Sequence, residues 1–154
     1  MRVLAIISVA PWLMGASSLP ARKVEGHKIY CGGETTNIEV EAYFSRLKDT
    51  LAEGGSGARF KQFVADRFSI TDARGRWLSF RLGDFNSITP GRITRAEWGE
   101  IAKRGASGLQ NAGWRGCFLD HGKVWFEADE KAGFKLTSVA KNMPWVPAKQ
   151  RQTR

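Results

Sequence analysis

Few residues in this chain are of a type and spacing that could support catalysis. The two histidines are His27, in a polar stretch near the N-terminus, and His121, in a predicted hairpin turn where a solvated side chain is the ordinary outcome. No Ser-His-Asp or Cys-His pattern of nucleophilic catalysis stands out, and no spacing is typical of metal ligands. We therefore predict no catalytic residue, no metal site and no cofactor.

Three carboxylates are nearest to the loop above the predicted sheet, where a raised pKa in a pocket could make one of them a general base. They are Asp84, Glu97 and Glu100. Structural roles account for two of them, because Glu97 fits a helix-capping position and Glu100 can pair with Arg104 one helical turn later. A small-molecule enzyme of the isomerase, dehydratase or hydrolase kind is the alternative to a binding function.

The two cysteines, Cys31 and Cys117, permit one intramolecular pairing. In an oxidising compartment that pairing is the default, and it would close a loop of about 85 residues, which stabilises a fold by about 4 kcal/mol. A redox-active or metal-binding pair is the alternative, but the chain has neither a Cys-x-x-Cys spacing nor histidines nearby. We predict a structural disulfide.

Residues 1–21 have the profile of a cleavable secretory signal. Met1 and Arg2 provide a short positive region, residues 3–14 form an apolar run, and small residues follow it. The run is shorter than the roughly 20 apolar residues that a membrane span needs. A retained N-terminal anchor is the alternative. Cleavage after Ser18 or Ala21 would give a periplasmic or secreted protein without a transmembrane segment.

Length and charge limit what such a mature protein can be. Removal of 21 of the 154 residues leaves about 133, enough for one domain with a substantial core. We divide the chain into a signal peptide (1–21), a single α+β domain (22–143) and a basic flexible tail (144–154). The formal net charge of +9 attracts acidic surfaces, whereas the scattered arginines disfavour nucleic acid as a partner.

The first half of the domain predicts two helices and a hairpin. We expect an N-cap at Asn37 and a helix that ends at Gly54, since apolar residues recur between them at helical spacing. This apolar stripe consists of Val40, Phe44, Leu47 and Leu51. A shorter second helix is predicted around 60–64. Alternating residues at 68–81 then predict two strands joined by a turn at 73–76.

The second half predicts one helix and three strands. The capping box from Thr94 to Glu97 indicates a helix from Arg95 to about Arg104, closed by Gly105. Strands at 114–119, 124–128 and 134–141 follow, joined by short turns. Their inward-facing residues are predicted to be Cys117, Leu119, Val124, Phe126, Phe134 and Leu136. The fold class is α+β, with N-terminal helices packed on a curved antiparallel sheet that ends in a three-stranded meander.

The segment Gly116 to Phe126 (GCFLDHGKVWF), together with the order of elements, resembles the central hairpin of small exported bacterial domains of the cystatin-like, nuclear-transport-factor-like cone architecture. Phe85 to Pro90 is similar to the segment that enters their third helix. The resemblance covers about residues 38–142 and implies a long helix lying across a curved sheet. Most of these domains have no assigned activity. The enzymes among them place Asp, His or Tyr inside the cone, and no such set can be carried over here.

One tryptophan indicates a binding face. Trp125 alternates with two residues of the inward set, so it faces away from them, where an aromatic ring can anchor a partner. Packing against a helix is the alternative. With Trp114, Arg115 and Arg81 it makes up the predicted binding face. We expect a non-enzymatic secreted or periplasmic binding or accessory domain for an envelope protein or acidic surface, a class that includes envelope inhibitors and immunity proteins. A purely structural envelope component is a third option.

Overall fold

A computed structural model describes residues 26–55, 57–86 and 93–147, and the fold is α+β, as predicted. In chain order the elements are β1 (Lys28–Tyr30), β2 (Glu34–Thr36), α1 (Asn37–Ala52), α2 (Gly57–Phe60), β3 (Val64–Thr71), β4 (Trp77–Arg81), α3 (Arg95–Arg104), β5 (Gln110–Asn111), β6 (Cys117–Leu119), β7 (Val124–Asp129) and β8 (Gly133–Val139). No helix in these ranges is long and apolar enough to cross a membrane. The predicted signal peptide and its cleavage sites lie outside the described residues.

The main sheet has six strands in the order β4-β3-β8-β7-β6-β5, and β1 and β2 form a separate hairpin. Every neighbouring pair is antiparallel except β3 and β8, which are parallel. The sheet is therefore mixed, whereas we predicted an antiparallel one. The last strand lies between the β3–β4 hairpin and the rest of the meander, and alternation of side chains along a strand does not report which strand becomes its neighbour.

Helix α1 begins one residue earlier than predicted. The N-cap is Thr36 rather than Asn37, because the extended backbone of Thr36 lets its hydroxyl accept a hydrogen bond from the amide of Glu39 at 3.2 Å. The Glu39 carboxylate accepts in return from the Thr36 amide at 2.9 Å and from the Thr35 hydroxyl at 2.8 Å. Asn37 instead accepts from the backbone amide of His27 at 2.6 Å.

The second helix and the first strand of the meander also differ from their predicted bounds. The predicted second helix is only α2 followed by a 3₁₀ turn at Lys61–Phe63, and β3 already starts at Val64. The predicted strand at 114–119 is a 3₁₀ turn at Gly113–Arg115 followed by the short β6. Gly116, with φ +104°, separates them, and a Cβ atom there would collide with the carbonyl oxygen of Phe126. Helix α3 has its predicted bounds and its predicted capping box.

The core lies between the helices and one face of the sheet. The rings of Phe126 and Phe134 stack at 5.2 Å beneath α1, and the buried Tyr43 donates its hydroxyl to the carbonyl of Phe63 at 2.9 Å. Trp98 of α3 stacks on a phenylalanine of α2 at 5.1 Å. All six residues predicted to face inward from the meander are buried.

The predicted disulfide fastens the N-terminal hairpin to the sheet. Cys31 follows β1 and Cys117 opens β6, and their sulfurs are bonded across a separation of 86 residues. The carbonyl of Cys31 also accepts from the amide of Ala128 at 2.7 Å, so this segment runs beside β7 beyond the end of β6. The disulfide and this backbone contact together fix β1 and β2 against the domain.

The segment after β8 packs onto a buried ion pair between α3 and the β6–β7 turn. Arg104 of α3 and Asp120 of the β6–β7 turn are both buried, with Nε and Oδ2 2.5 Å apart. The same Oδ2 accepts from the amide of Val146 at 3.1 Å, and the ring of Trp145 lies 4.2 Å from the guanidinium of Arg104. The tail that we predicted to start at residue 144 thus begins inside a packed segment, and residues 148–154 lie outside the described ranges.

Candidate binding surface

Five strands contribute one row of side chains to the sheet face opposite the helices. The register pairs Phe118 with Trp125, Trp125 with Ser138, Ser138 with Ser69, and Ser69 with Ser79. Phe118, Trp125 and Ser69 lie between two core residues, whereas Ser138 and Ser79 are each followed by one residue that packs in or against the core, Val139 and Phe80. The row therefore points away from α1 and α3. We call the sheet surface that carries this row the outer face.

The aromatic end of the outer face is held in a fixed position. The rings of Phe118 and Trp125 are 5.1 Å apart, and both side chains are half-buried. The Trp125 indole donates its Nε1 hydrogen to the carbonyl of Gly122 at 2.9 Å. Gly122 belongs to a turn in which Asp120 and His121 also have positive φ, and His121 is exposed, as expected of a turn residue. The prediction that Trp125 faces away from the core is confirmed.

The other end of the outer face is basic. Arg67 of β3 and Arg81 of β4 are direct cross-strand partners, both exposed, on the same face as the serine pair Ser69 and Ser79, whose Oγ atoms are 3.0 Å apart. Neither arginine forms an ion pair with another residue in the part of the chain that the structure describes. Like charges directly opposite each other on two strands are destabilising. The free protein therefore has an uncompensated pair of positive charges here.

The four residues of the predicted binding face occupy two places. Trp125 and Arg81 share the outer face, on strands three positions apart, or about 14 Å at the usual strand spacing. Trp114 and Arg115 lie in the 3₁₀ turn that joins β5 to β6. Strands β4 and β5 are the two edges of the sheet, so this turn is at the far edge from Arg81. Trp114 is 79% exposed, and the guanidinium of Arg115 is 5.9 Å from its ring. This turn presents a second exposed aromatic and basic pair.

The predicted binding face did not include Arg67 and Phe118, which lie on the outer face. Arg67 alternates with the buried Phe68, so its orientation could have been found from the pattern of 64–71. Its pairing with Arg81 additionally needs the register of the hairpin. Phe118 was overlooked because it stands between Cys117 and Leu119, which were assigned to the core, although strict alternation places it opposite them.

The residues considered for catalysis have separate structural roles. His27 and Asp84 are exposed, and Asp84 lies in the 3₁₀ turn Leu82–Asn86. Glu97 caps α3 and accepts from the ammonium of Lys141 at 2.6 Å. Glu100 forms the expected pair with Arg104. Within the described ranges, no group of three or more His, Cys, Asp or Glu side chains could hold a metal ion.

A cavity of about 410 Å³ lies on the helix side of the sheet, at the edge formed by β5. It is bounded by β1, the first turns of α1, the segment after α3 and the start of β6. Its lining residues are Ile29, Asn37, Val40, Glu41, Ala106, Ser107, Leu109, Asn111 and Cys117. None of the histidines or carboxylates considered for catalysis is among them, and Glu41 is the single charged residue in this lining.

No protein-family model, no curated protein and no solved structure matches the chain. The resemblance of residues 38–142 to cystatin-like, nuclear-transport-factor-like domains stays a prediction.

Proposed function

We propose that this protein is a non-enzymatic binding domain that works in the periplasm or outside the cell and uses its outer face to hold an acidic partner protein. The observation that carries the proposal is the exposed cross-strand pair of Arg67 and Arg81. Carboxylates of a partner would replace a repulsive contact by charge-assisted hydrogen bonds, which are about twice as strong as neutral ones. Binding would thus relieve a cost that the free protein bears.

The aromatic end of the outer face complements this basic pair. Interface residues that contribute most to affinity are enriched in Trp, Tyr and Arg, and they lie in a centre from which water is excluded. Trp125, held by Phe118 and by its hydrogen bond to a turn carbonyl, supplies a rigid apolar contact. The serines between the aromatic and basic ends have short side chains that allow close approach and can form hydrogen bonds. An envelope inhibitor or immunity protein is a function of this class.

The compartment is inferred from chemistry and sequence together. Disulfides form and persist in oxidising compartments, and the Cys31–Cys117 bond fixes an N-terminal hairpin that follows directly on the predicted signal peptide. Cleavage of the signal peptide removes Arg2 and lowers the formal net charge from +9 to +8, which favours acidic partners in such a compartment. An enzyme is less favoured, because acid–base chemistry needs at least two convergent titratable groups and the cavity on the helix side offers Glu41 alone.

The test compares two variants that lose the same charge at different places. In R67S/R81S the outer face loses its basic pair, whereas R46S/K48S removes two exposed positive charges from α1, on the other side of the sheet. Binding of a poly-L-glutamate peptide is measured by calorimetry at several salt concentrations. We expect R67S/R81S to bind about tenfold or more weakly, the effect of losing an interface hot spot, and R46S/K48S to bind nearly as wild type.

Stability measurements separate this effect from damage to the fold. Removal of the repulsion should make R67S/R81S more stable than wild type by about 0.2–1 kcal/mol, although it binds less. The proposal is refuted if both double variants lose affinity equally, since the peptide would then respond only to net charge. It is also refuted if the wild-type protein does not bind the peptide.

A further inference from the structure

We infer that the cavity beside the disulfide is a binding site for a small organic cation with an apolar body, such as a primary alkylamine. Its volume of about 410 Å³ lies toward the small end of the roughly 300–1,000 Å³ that is usual for small-molecule sites. It opens on the helix side of the sheet, so it is separate from the outer face. The inference therefore does not depend on the proposed partner protein.

The walls of the cavity are apolar and pre-formed. Ile29 comes from β1, Val40 from α1, Leu109 from the segment after α3, and Cys117 from β6. The disulfide covalently ties the strand that carries Ile29 to the strand that carries Cys117. Two of the four wall segments are thus joined by a covalent bond, and pre-organisation of this kind reduces the ordering that accompanies binding and so improves affinity.

The charge preference of the cavity is set by Glu41. Its carboxylate forms no ion pair with any residue in ranges 26–55, 57–86 and 93–147. The side-chain oxygens of Asn37 and Asn111, which also line the cavity, already accept backbone amides at 2.6 Å. Positive charges farther away than about 8–10 Å are screened at physiological salt, and the Glu41 carboxylate is the charge in the lining itself.

The N-terminal end of α1 does not reverse this preference. Helix N-termini attract anions through unsatisfied amides and the helix dipole. Here the Thr36 hydroxyl accepts one of those amides, and the Glu39 carboxylate places a negative charge in the first turn. The hydrogen bond from the Thr35 hydroxyl, with those from Thr36, lowers the pKa of Glu39 despite its partial desolvation, so this charge is present at neutral pH. An anionic ligand would therefore meet the Glu41 carboxylate in the lining, with a further negative charge in the first turn of α1.

The test uses three probes with the same alkyl chain, which are octylamine, octanol and octanoate, below their aggregation concentrations. Calorimetry and amide chemical-shift changes on the mature protein should rank the affinities as octylamine, then octanol, then octanoate. Glu41→Gln should reduce octylamine affinity about tenfold, as expected for a charge-assisted hydrogen bond, and leave octanol affinity within about twofold.

A second pair of variants locates the site. Ser107→Phe places a ring into the cavity from its wall and should abolish binding of all three probes, whereas Ser45→Phe introduces the same ring on the exposed side of α1 and should not. Equal affinity for octanoate and octylamine overturns the inference. So does an unchanged preference in Glu41→Gln, or unchanged binding in a folded Ser107→Phe protein.

Discussion

Replacement of Asp120 by Asn tests whether the packing of the C-terminal segment depends on a buried charge. The substitution preserves side-chain shape, and Asn tolerates the left-handed backbone that φ +48° requires at this position. What it removes is the negative charge opposite the guanidinium of Arg104, which is buried and bonded to Asp120 at 2.5 Å. Arg104 would keep Glu100, a half-exposed partner on its own helix.

The expected cost follows from the burial of this pair. Removing one partner of a buried ion pair costs about 3–5 kcal/mol, whereas exposed pairs contribute about 0–1 kcal/mol. Asp120 also accepts the amide of Val146 through the same Oδ2, and the carbonyl oxygen of an asparagine can accept both donors with its two lone pairs, so the loss comes from the missing charge. We therefore expect Asp120→Asn to lower the free energy of unfolding by about 3 kcal/mol or more, a large part of the total for a domain of this size.

Guanidinium unfolding curves followed by tryptophan fluorescence would measure this loss. Asp49→Asn, on the exposed side of α1, is the matched control and should change stability by less than about 0.5 kcal/mol. A double-mutant cycle with Arg104→Met should show strong coupling, since the second substitution removes the charge whose buried partner the first takes away. A loss below about 1 kcal/mol in Asp120→Asn, or additive effects in the cycle, would refute this reasoning.

Three further predictions concern the disulfide, a close backbone approach and a titrating cap. Cys31→Ser with Cys117→Ser should lower unfolding stability by about 4–5 kcal/mol, from a separation of 86 residues, and reductant should then have no further effect on the denaturation midpoint. Gly116→Ala should lower the free energy of unfolding by at least about 2 kcal/mol in the same assay, because the backbone conformation there is one that only glycine adopts readily and the new Cβ would collide with β7. Gly54→Ala is the control, since no atom lies close to that position, and an equal loss in the two variants would contradict the prediction. Hydrogen bonds hold the pKa of Glu39 below its usual range, so its contribution to stability is present above the unfolded-state pKa and lost as the pH falls through the lower folded-state pKa. Glu39→Gln should therefore flatten the acidic part of the curve of unfolding free energy against pH. An unchanged curve would contradict a stabilising role for the Glu39 carboxylate in the cap of α1.

Local signals in the sequence predicted the elements well where each signal is complete within a few residues. The capping box of α3 and the spacing of apolar residues in α1 are examples, and so is the alternation that buries Val124 and Phe126. The cap of α1 was misplaced by one residue because Thr36 and Asn37 are both good capping residues, and the choice depends on which side chain reaches the third amide.

Features that depend on distant partners could not be predicted in this way. The parallel pairing of β3 with β8 joins segments that are about 70 residues apart, and no periodicity encodes it. Trp145 was assigned to a flexible tail because its packing needs Arg104 and the β6–β7 turn to be in place. For the candidate sites, the alternation of side chains predicted the orientation of Trp125. The cross-strand pairing of Arg67 with Arg81 and the cavity on the helix side form only when the separate segments come together in the fold.

The position of β8 has a kinetic consequence. Strand β8 follows all the other strands of the described main sheet along the chain yet lies third in its strand order, so a nascent chain that lacks residues 133–139 cannot join the β3–β4 hairpin to strands β5–β7. Non-local pairing of this kind slows folding, because the entropy of closing a long loop is lost before the contacts form. Until residues 133–139 are available, the main sheet therefore stays divided into two parts, and the domain cannot reach its final fold.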